Sequence, residues 1–192
     1  QSRILIIIMT GQLLRNLKKV IELNNKQTPI ILIGFMGTGK STIGEYLSLA
    51  QDMSFVDLDI YIEFKEKQSI PQLFEQIGES GFRKLECKYL KECVEKYDII
   101  ATGGGVIDYS ESLKILKKFK HVIWLDCDIE VIYNRIRNDA HRPNAKDKSK
   151  KQLKNLYLSR VSRYNEIAFM KVNSEKTIKD ICDLITNHLS CG

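Results

Sequence analysis

The sequence predicts an α/β domain, a parallel sheet with helices on both faces. Three observations carry this prediction. Short apolar, β-branched runs recur at 30–33, 54–59, 98–102, 121–126 and 169–173. Longer stretches with helical spacing of apolar residues separate them, and no two-residue turn joins one run to the next, so each strand returns by a crossover. The runs are apolar on consecutive positions rather than alternate ones, as in strands covered on both sides.

At 192 residues and 43% hydrophobic content the chain suffices for one domain with a real core. Residues 1–28 are set apart as an extension, with the domain at 29–192. The chain starts at Gln1 and its first methionine is Met9, so the residues before Met9 do not enter the functional reading. Within the extension, 13–23 reads as an amphipathic helix with Leu14, Leu17 and Ile21 on one face, and the apolar run 4–9 is too short to span a bilayer. The net charge of +6 is moderate, and the lysine-rich stretch 146–154 comes without a helix-turn-helix, RNA-recognition or zinc signature. The expectation is a monomer with neither nucleic acid nor a membrane as partner. Five cysteines, an odd number with no Cys-x-x-Cys, point to buried thiols in a reducing cytoplasm.

Taken in order, the first strand runs into Gly34-Phe35-Met36-Gly37-Thr38-Gly39-Lys40-Ser41-Thr42, and a helix follows at 41–50. Gly34, four residues, then Gly39-Lys40-Ser41 is the spacing of a phosphate-binding loop. Glycines let successive N–H groups turn toward phosphate oxygens, and the helix N-terminus adds further donors. Lys40 supplies a charge to the β/γ-phosphates and Ser41 a hydroxyl to Mg²⁺. The second strand, 54–59, ends in Asp57 and Asp59, which alternation would send to one side if the extended geometry continues. Helices are expected at 60–67, at 70–77 with Pro71 in its first turn, and from 83 to 95. On the last, Arg83 and Glu86 share a face, and an exposed ion pair is the plain reading.

The third strand ends in Gly103-Gly104-Gly105, where a parallel sheet places its ligands and where backbone can approach closely. Ser110 would cap a helix at 110–118, and the fourth strand precedes a helix at 128–138. Residues 140–148 are polar and breaker-rich, the composition of a mobile loop. A helix carrying Arg160 and Arg163 spans 153–164. After the last strand, Thr177 caps a closing helix to about 188. On these residues the chain is a nucleoside-triphosphate-dependent enzyme or, failing turnover, a nucleotide-binding module.

The stretch from about 29 to 189 resembles the shikimate kinases. The resemblance rests on the loop at 34–42, Asp57-Leu58-Asp59, Gly81-Phe82-Arg83-Lys84-Leu85-Glu86, Ala101-Thr102-Gly103-Gly104-Gly105, Arg142-Pro143, and Arg160 with Tyr164 and Glu166. It implies a P-loop kinase fold, a three-layer α/β/α domain with strand order 2-3-1-4-5 and a lid at about 140–152. It implies transfer of the γ-phosphoryl group of ATP, with Mg²⁺, to the 3-hydroxyl of shikimate. Catalysis would then fall to Lys40, Asp59 and Arg142. Gly37, Thr38, Gly39, Lys40, Ser41, Thr42, Arg135 and Arg142 would hold the nucleotide, Arg135 stacking on adenine. Ser41 and Asp57 would hold the metal, and Asp59, Arg83, Gly103, Gly104, Gly105 and Arg160 the shikimate. The sequence departs from the family's habit at Asn144-Ala145, where leucines are usual, and at Ser162, where a proline is usual. Other small-molecule kinases of this fold, acting on gluconate or nucleoside monophosphates, are the alternative.

Overall fold

A computed structural model describes residues 28–137 and 149–190. The extension at 1–27, most of the lid including Arg142, and Cys191 lie outside the described residues.

The apolar runs form strands β1 (Ile30–Ile33), β2 (Phe55–Asp57), β3 (Ile99–Ala101), β4 (Val122–Asp126) and β5 (Met170–Asn173). They make one sheet in the order β2-β3-β1-β4-β5, every pair parallel. The crossovers are α1 (Lys40–Gln51), α2 (Leu58–Glu66), α3 (Ile70–Lys96), α4 (Ser110–Leu116), α5 (Ile129–Arg137) and α6 (Lys150–Ile167), and α7 (Ile178–Ser190) closes the chain.

Strand alternation divides the core between the two faces. Ile31, Ile33, Ile100 and Trp124 face Leu90, Cys93 and Tyr164, whereas Ile30, Leu32, Ile99 and Ile123 face Ile43, Leu47, Ile181 and Ile185. Each such side chain, fully buried, contributes about 1.5–3 kcal/mol. A third cluster of Phe35, Cys127, Ile132, Ile136 and Leu153 supports the phosphate loop from beneath. The cysteines Cys87, Cys93, Cys127 and Cys182 are buried free thiols.

Three local expectations shift. The second strand stops at Asp57, because the Asp57 carboxylate accepts from Asp59 N at 2.9 Å and Ile60 N at 3.2 Å and starts α2 there. Asp59 therefore sits in the first turn of a helix, and strand alternation does not relate the two acids. Tyr109, not Ser110, is the N-cap of α4, and Ser110 is its first residue. The two helices expected at 70–77 and 83–95 are joined end to end across a kink at Gly78 (φ 66°, ψ 177°). Ser162 lies exposed inside an unbroken α6, where its N–H keeps a helix bond that proline would remove. Among the described residues no helix is long and apolar enough to cross a membrane.

Candidate active site

All five strands point their C-terminal ends at the same edge, so the segments that follow them meet there. The loop after β1 wraps under α1. Gly34 has φ 142°, and a β-carbon on it would lie 2.2 Å from Leu125 O of the neighbouring strand, so only glycine fits. Lys40 is 8% exposed, and its Nζ donates to Gly34 O at 2.9 Å and Phe35 O at 2.8 Å. Thr38 is fully buried and its hydroxyl donates to Phe35 O at 2.8 Å. The ammonium and the loop backbone thus hold one another in place before any ligand arrives.

Beside this loop, the Ser41 hydroxyl donates to the second oxygen of Asp57. The other oxygen of Asp57 is the cap of α2, so the helix start fixes the acid in front of Ser41. Across the loop, Arg135 of α5 donates to Gly37 O and to Ser174 O, both at 3.2 Å. It therefore bridges the phosphate loop and the segment after β5.

The acceptor side is built on Gly103-Gly104-Gly105. A β-carbon on Gly103 would lie 2.7 Å from both Asp59 Oδ1 and Glu86 Oε1, and one on Gly105 would lie 2.1 Å from Arg83 Nη2. The glycines are thus the space in which two carboxylates and a guanidinium reach the backbone. On the far side, Tyr164 Oη donates to Gly104 O at 2.6 Å, and its ring stacks on Trp124.

Arg83 and Glu86 form the expected i,i+3 pair at 2.8 Å, but it is not exposed: the two side chains are 12% and 0% accessible. The kink at Gly78 and the cover of the glycine turn bury this face of α3. Burial lifts the Glu86 carboxyl to about 7, against the pull of Arg83 and with help from Asp59 and Asp108. At Arg83 burial opposes the charge, yet Glu86, Asp108 and Glu79 outweigh it and raise the guanidinium above its ordinary value. The difference follows from burial, which is complete at Glu86 and partial at Arg83. Glu86 Oε1 and Arg83 Nε are buried and have no hydrogen-bond partner among the described residues, which marks unused polar capacity. Sequence reasoning passed over Glu86 as a surface ion-pair member. Its place in Gly81-Phe82-Arg83-Lys84-Leu85-Glu86 was the available signal, and only burial gave it weight.

Arg160 enters from α6, its side chain 7% exposed, over the ring of Phe35 at 5.6 Å. It pairs with Asp108 at the end of the short 3₁₀ turn Val106–Asp108.

A cleft of about 840 Å³ runs along this edge. It is walled by residues 36–43 with Arg135, Ser174 and Ile178, and by Asp57, Asp59, Thr102 and Gly104. Arg83, Glu86, Arg160, Gly103 and Gly105 are not part of its wall. Glu86 lies with Asp59 against Gly103, Arg83 lies against Gly105, and Arg160 pairs with Asp108 just after the turn. The sequence-predicted residues that lie within the described segments therefore gather at one edge, and Arg142 is outside them.

A protein-family model described as shikimate kinase matches residues 36–190. A shikimate kinase of Staphylococcus haemolyticus is 69% identical over 170 residues, 88% of this chain and 99% of that protein. The structure of shikimate kinase from Acinetobacter baumannii in complex with shikimate superposes with a TM-score of 0.75 at 30% identity, covering 88% of this chain and 95% of that one. Shikimate kinase from Aquifex aeolicus superposes with a TM-score of 0.72 at 37% identity, covering 84% and 96% respectively.

Proposed function

The chain belongs to the shikimate kinase family, and from that premise we propose how its residues divide the work. Its reaction is transfer of the γ-phosphoryl group of ATP to the 3-hydroxyl of shikimate, giving shikimate 3-phosphate and ADP. One observation supports the division of labour: a phosphate-binding lysine, a hydroxyl–carboxylate pair and a cluster of two acids with two arginines meet at one sheet edge.

At the nucleotide end, the N–H groups of Gly37, Thr38, Gly39, Ser41 and Thr42 face the phosphates, and Lys40 exchanges its loop carbonyls for β/γ oxygens. Arg135 stacks on the adenine, held by Gly37 O and Ser174 O. Ser41 Oγ and Asp57 are hard oxygen donors already in contact, a set that suits Mg²⁺, which keeps several waters and takes phosphate oxygens as ligands. When bound, Mg²⁺ supplies charge neutralisation on the transferring phosphates.

At the acceptor end, Arg83 and Arg160 bind the shikimate carboxylate, because a guanidinium matches a carboxylate with two parallel hydrogen bonds. The backbone of Gly103, Gly104 and Gly105 lines the ring. Glu86 Oε1, without a partner among the described residues and 2.7 Å from the β-position of Gly103, accepts from a ring hydroxyl beside Asp59. Asp59 accepts the proton of the 3-hydroxyl as its oxygen bonds to the γ-phosphorus. The bond from that phosphorus to the β-phosphate oxygen breaks, and ADP leaves with the electron pair. Charge spreads over the transferring group, so catalysis is positioning plus electrostatic stabilisation. Arg142 supplies a further cation when the lid at about 140–152 closes and excludes water.

The domain is residues 29–192, acting as a monomer in the cytoplasm without nucleic acid or membrane. The four buried thiols support a reducing compartment. The test is ADP release with Mg·ATP and a panel of shikimate, quinate, gluconate and nucleoside monophosphates. Release that depends on shikimate alone is expected. Release with a nucleoside monophosphate would overturn the carboxylate pocket, and ATP binding without release would leave only a nucleotide-binding module.

A further inference from the structure

The resemblance assigns Arg160 to the substrate carboxylate, yet Arg160 already has a carboxylate. Asp108 takes it along one edge: Nε donates to Oδ2 at 3.0 Å and Oδ1 at 3.3 Å, and Nη2 donates to Oδ2 at 2.5 Å. A guanidinium carries five N–H donors in a rigid plane, and carboxylates dock on it as forks, along either Nε with Nη2 or Nη1 with Nη2. Asp108 fills the first edge and leaves the second. The group has little freedom to choose otherwise, since its side chain is 7% exposed and lies over Phe35.

Asp108 is itself fixed by the turn that lines the substrate. Its N–H donates to Gly105 O at 2.9 Å, and Val106 N donates to Gly103 O at 3.2 Å. Its carboxylate also takes Arg163 Nη1 at 3.4 Å and raises the charge preference of Arg83. One acid just after the glycine turn thus pairs with Arg160 and Arg163 and acts electrostatically on Arg83.

We propose that Asp108 is a positioning residue for carboxylate recognition: by holding the Nε–Nη2 edge of Arg160 it presents the Nη1–Nη2 edge to the carboxylate of the acceptor. The proposal rests on reading Arg160 as the carboxylate ligand. A side-on anchor fixes both the plane and the direction of the guanidinium, so its fork is in place before the substrate arrives. Without it, the buried cation would be left to satisfy itself elsewhere, and the second edge would lose its aim.

The test is Asp108→Asn, which keeps the shape and an acceptor oxygen but loses the charge. Tyr164 Oη on Gly104 O still ties α6 to the turn, and circular dichroism with thermal melting checks that the fold is kept. Shikimate is compared with its carboxamide, which has the same ring and hydroxyls but no carboxylate. The expected result is a loss of about tenfold in kcat/KM for shikimate, carried by KM, with the ATP KM and the carboxamide kcat/KM changed less than about twofold. Asp108→Glu, which restores the charge, recovers part of the loss. Equal losses for both acceptors would make Asp108 a structural residue only and overturn the proposal. A lower shikimate KM in Asp108→Asn would mean that Asp108 competes with the substrate, and would overturn it as well. Failure of the functional reading is separate and visible without any variant: the unaltered chain would not phosphorylate shikimate, and the proposal would fall with it.

Discussion

The two ends of the cleft are made in different ways. The phosphate end is centred on one continuous stretch, 34–42, shaped by main-chain geometry and a single lysine, with Asp57 and Arg135 brought to its sides. The other end is assembled from α2, α3, the glycine turn and α6, and opposite charges hold it, Arg83 with Glu86 and Arg160 with Asp108, while Asp59 and Glu86 crowd together at Gly103. A backbone cradle depends on local conformation and tolerates changes elsewhere. A buried charge cluster depends on every member, because removing one leaves another desolvated and unpaired. Changes at the phosphate end should therefore act singly, and changes at the acceptor end should be non-additive.

Lys40→Ala should break catalysis most, lowering kcat by roughly a thousandfold, since it removes a fixed charge from the transferring phosphates. Shikimate binding measured by calorimetry should survive, because Lys40 belongs to the other end. A near-normal rate would erase the distinction between the ends. Asp59→Asn comes next, with kcat reduced by about a hundredfold or more as the proposed proton acceptor is lost, and with weaker shikimate binding. Unchanged steady-state kinetics would remove Asp59 from the acceptor end.

The third test sharpens the claim of coupling. Gly105→Ala would place a β-carbon 2.1 Å from Arg83 Nη2, the movable tip of a side chain. The fold should therefore persist, with a shikimate KM raised roughly tenfold, and Arg83→Lys should give a similar rise by losing the fork. The double variant should be little worse than either alone. Additive losses would mean that Gly105 and Arg83 act independently.

The smallest effect is on stability against pH. Glu86 has its carboxyl raised to about 7 in the folded chain, from 4.5. The native state then holds a proton that the unfolded chain has released, so this contribution is full below about 4.5 and is lost as pH rises through about 7. Denaturant melts between those limits should show stability falling with pH, and Glu86→Gln should flatten that slope. A slope unchanged in Glu86→Gln would place the titration elsewhere.

These two ends also differ in how far they could be read without coordinates. The phosphate loop is a local pattern, and its strand, turn and helix lie where residues 30–50 predict them. The parallel sheet was equally legible, since short β-branched apolar runs such as 122–125, alternating with helical stretches, fit strands covered on both faces. The strand order and the assignment of Arg83 to the substrate came through resemblance, not from spacing. Asp57 and Asp59 were legible as a pair for the wrong reason: alternation along a strand, where the structure has a capped helix start. Arg83 and Glu86 were legible as neighbours but not as buried ones, and Asp108 gave no signal at all.

Periodicity and loop chemistry thus determined the α/β class, the covered parallel strands and the nucleotide end, because each depends on residues adjacent in the chain. Only the tertiary structure decided that Glu86 is dry, that Gly103 and Gly105 lie beneath two acids and a guanidinium, and that Arg160 turns one edge to Asp108. Burial and charge pairing are set by what other elements bring to the same place, and that is a property of the fold rather than of any stretch of it.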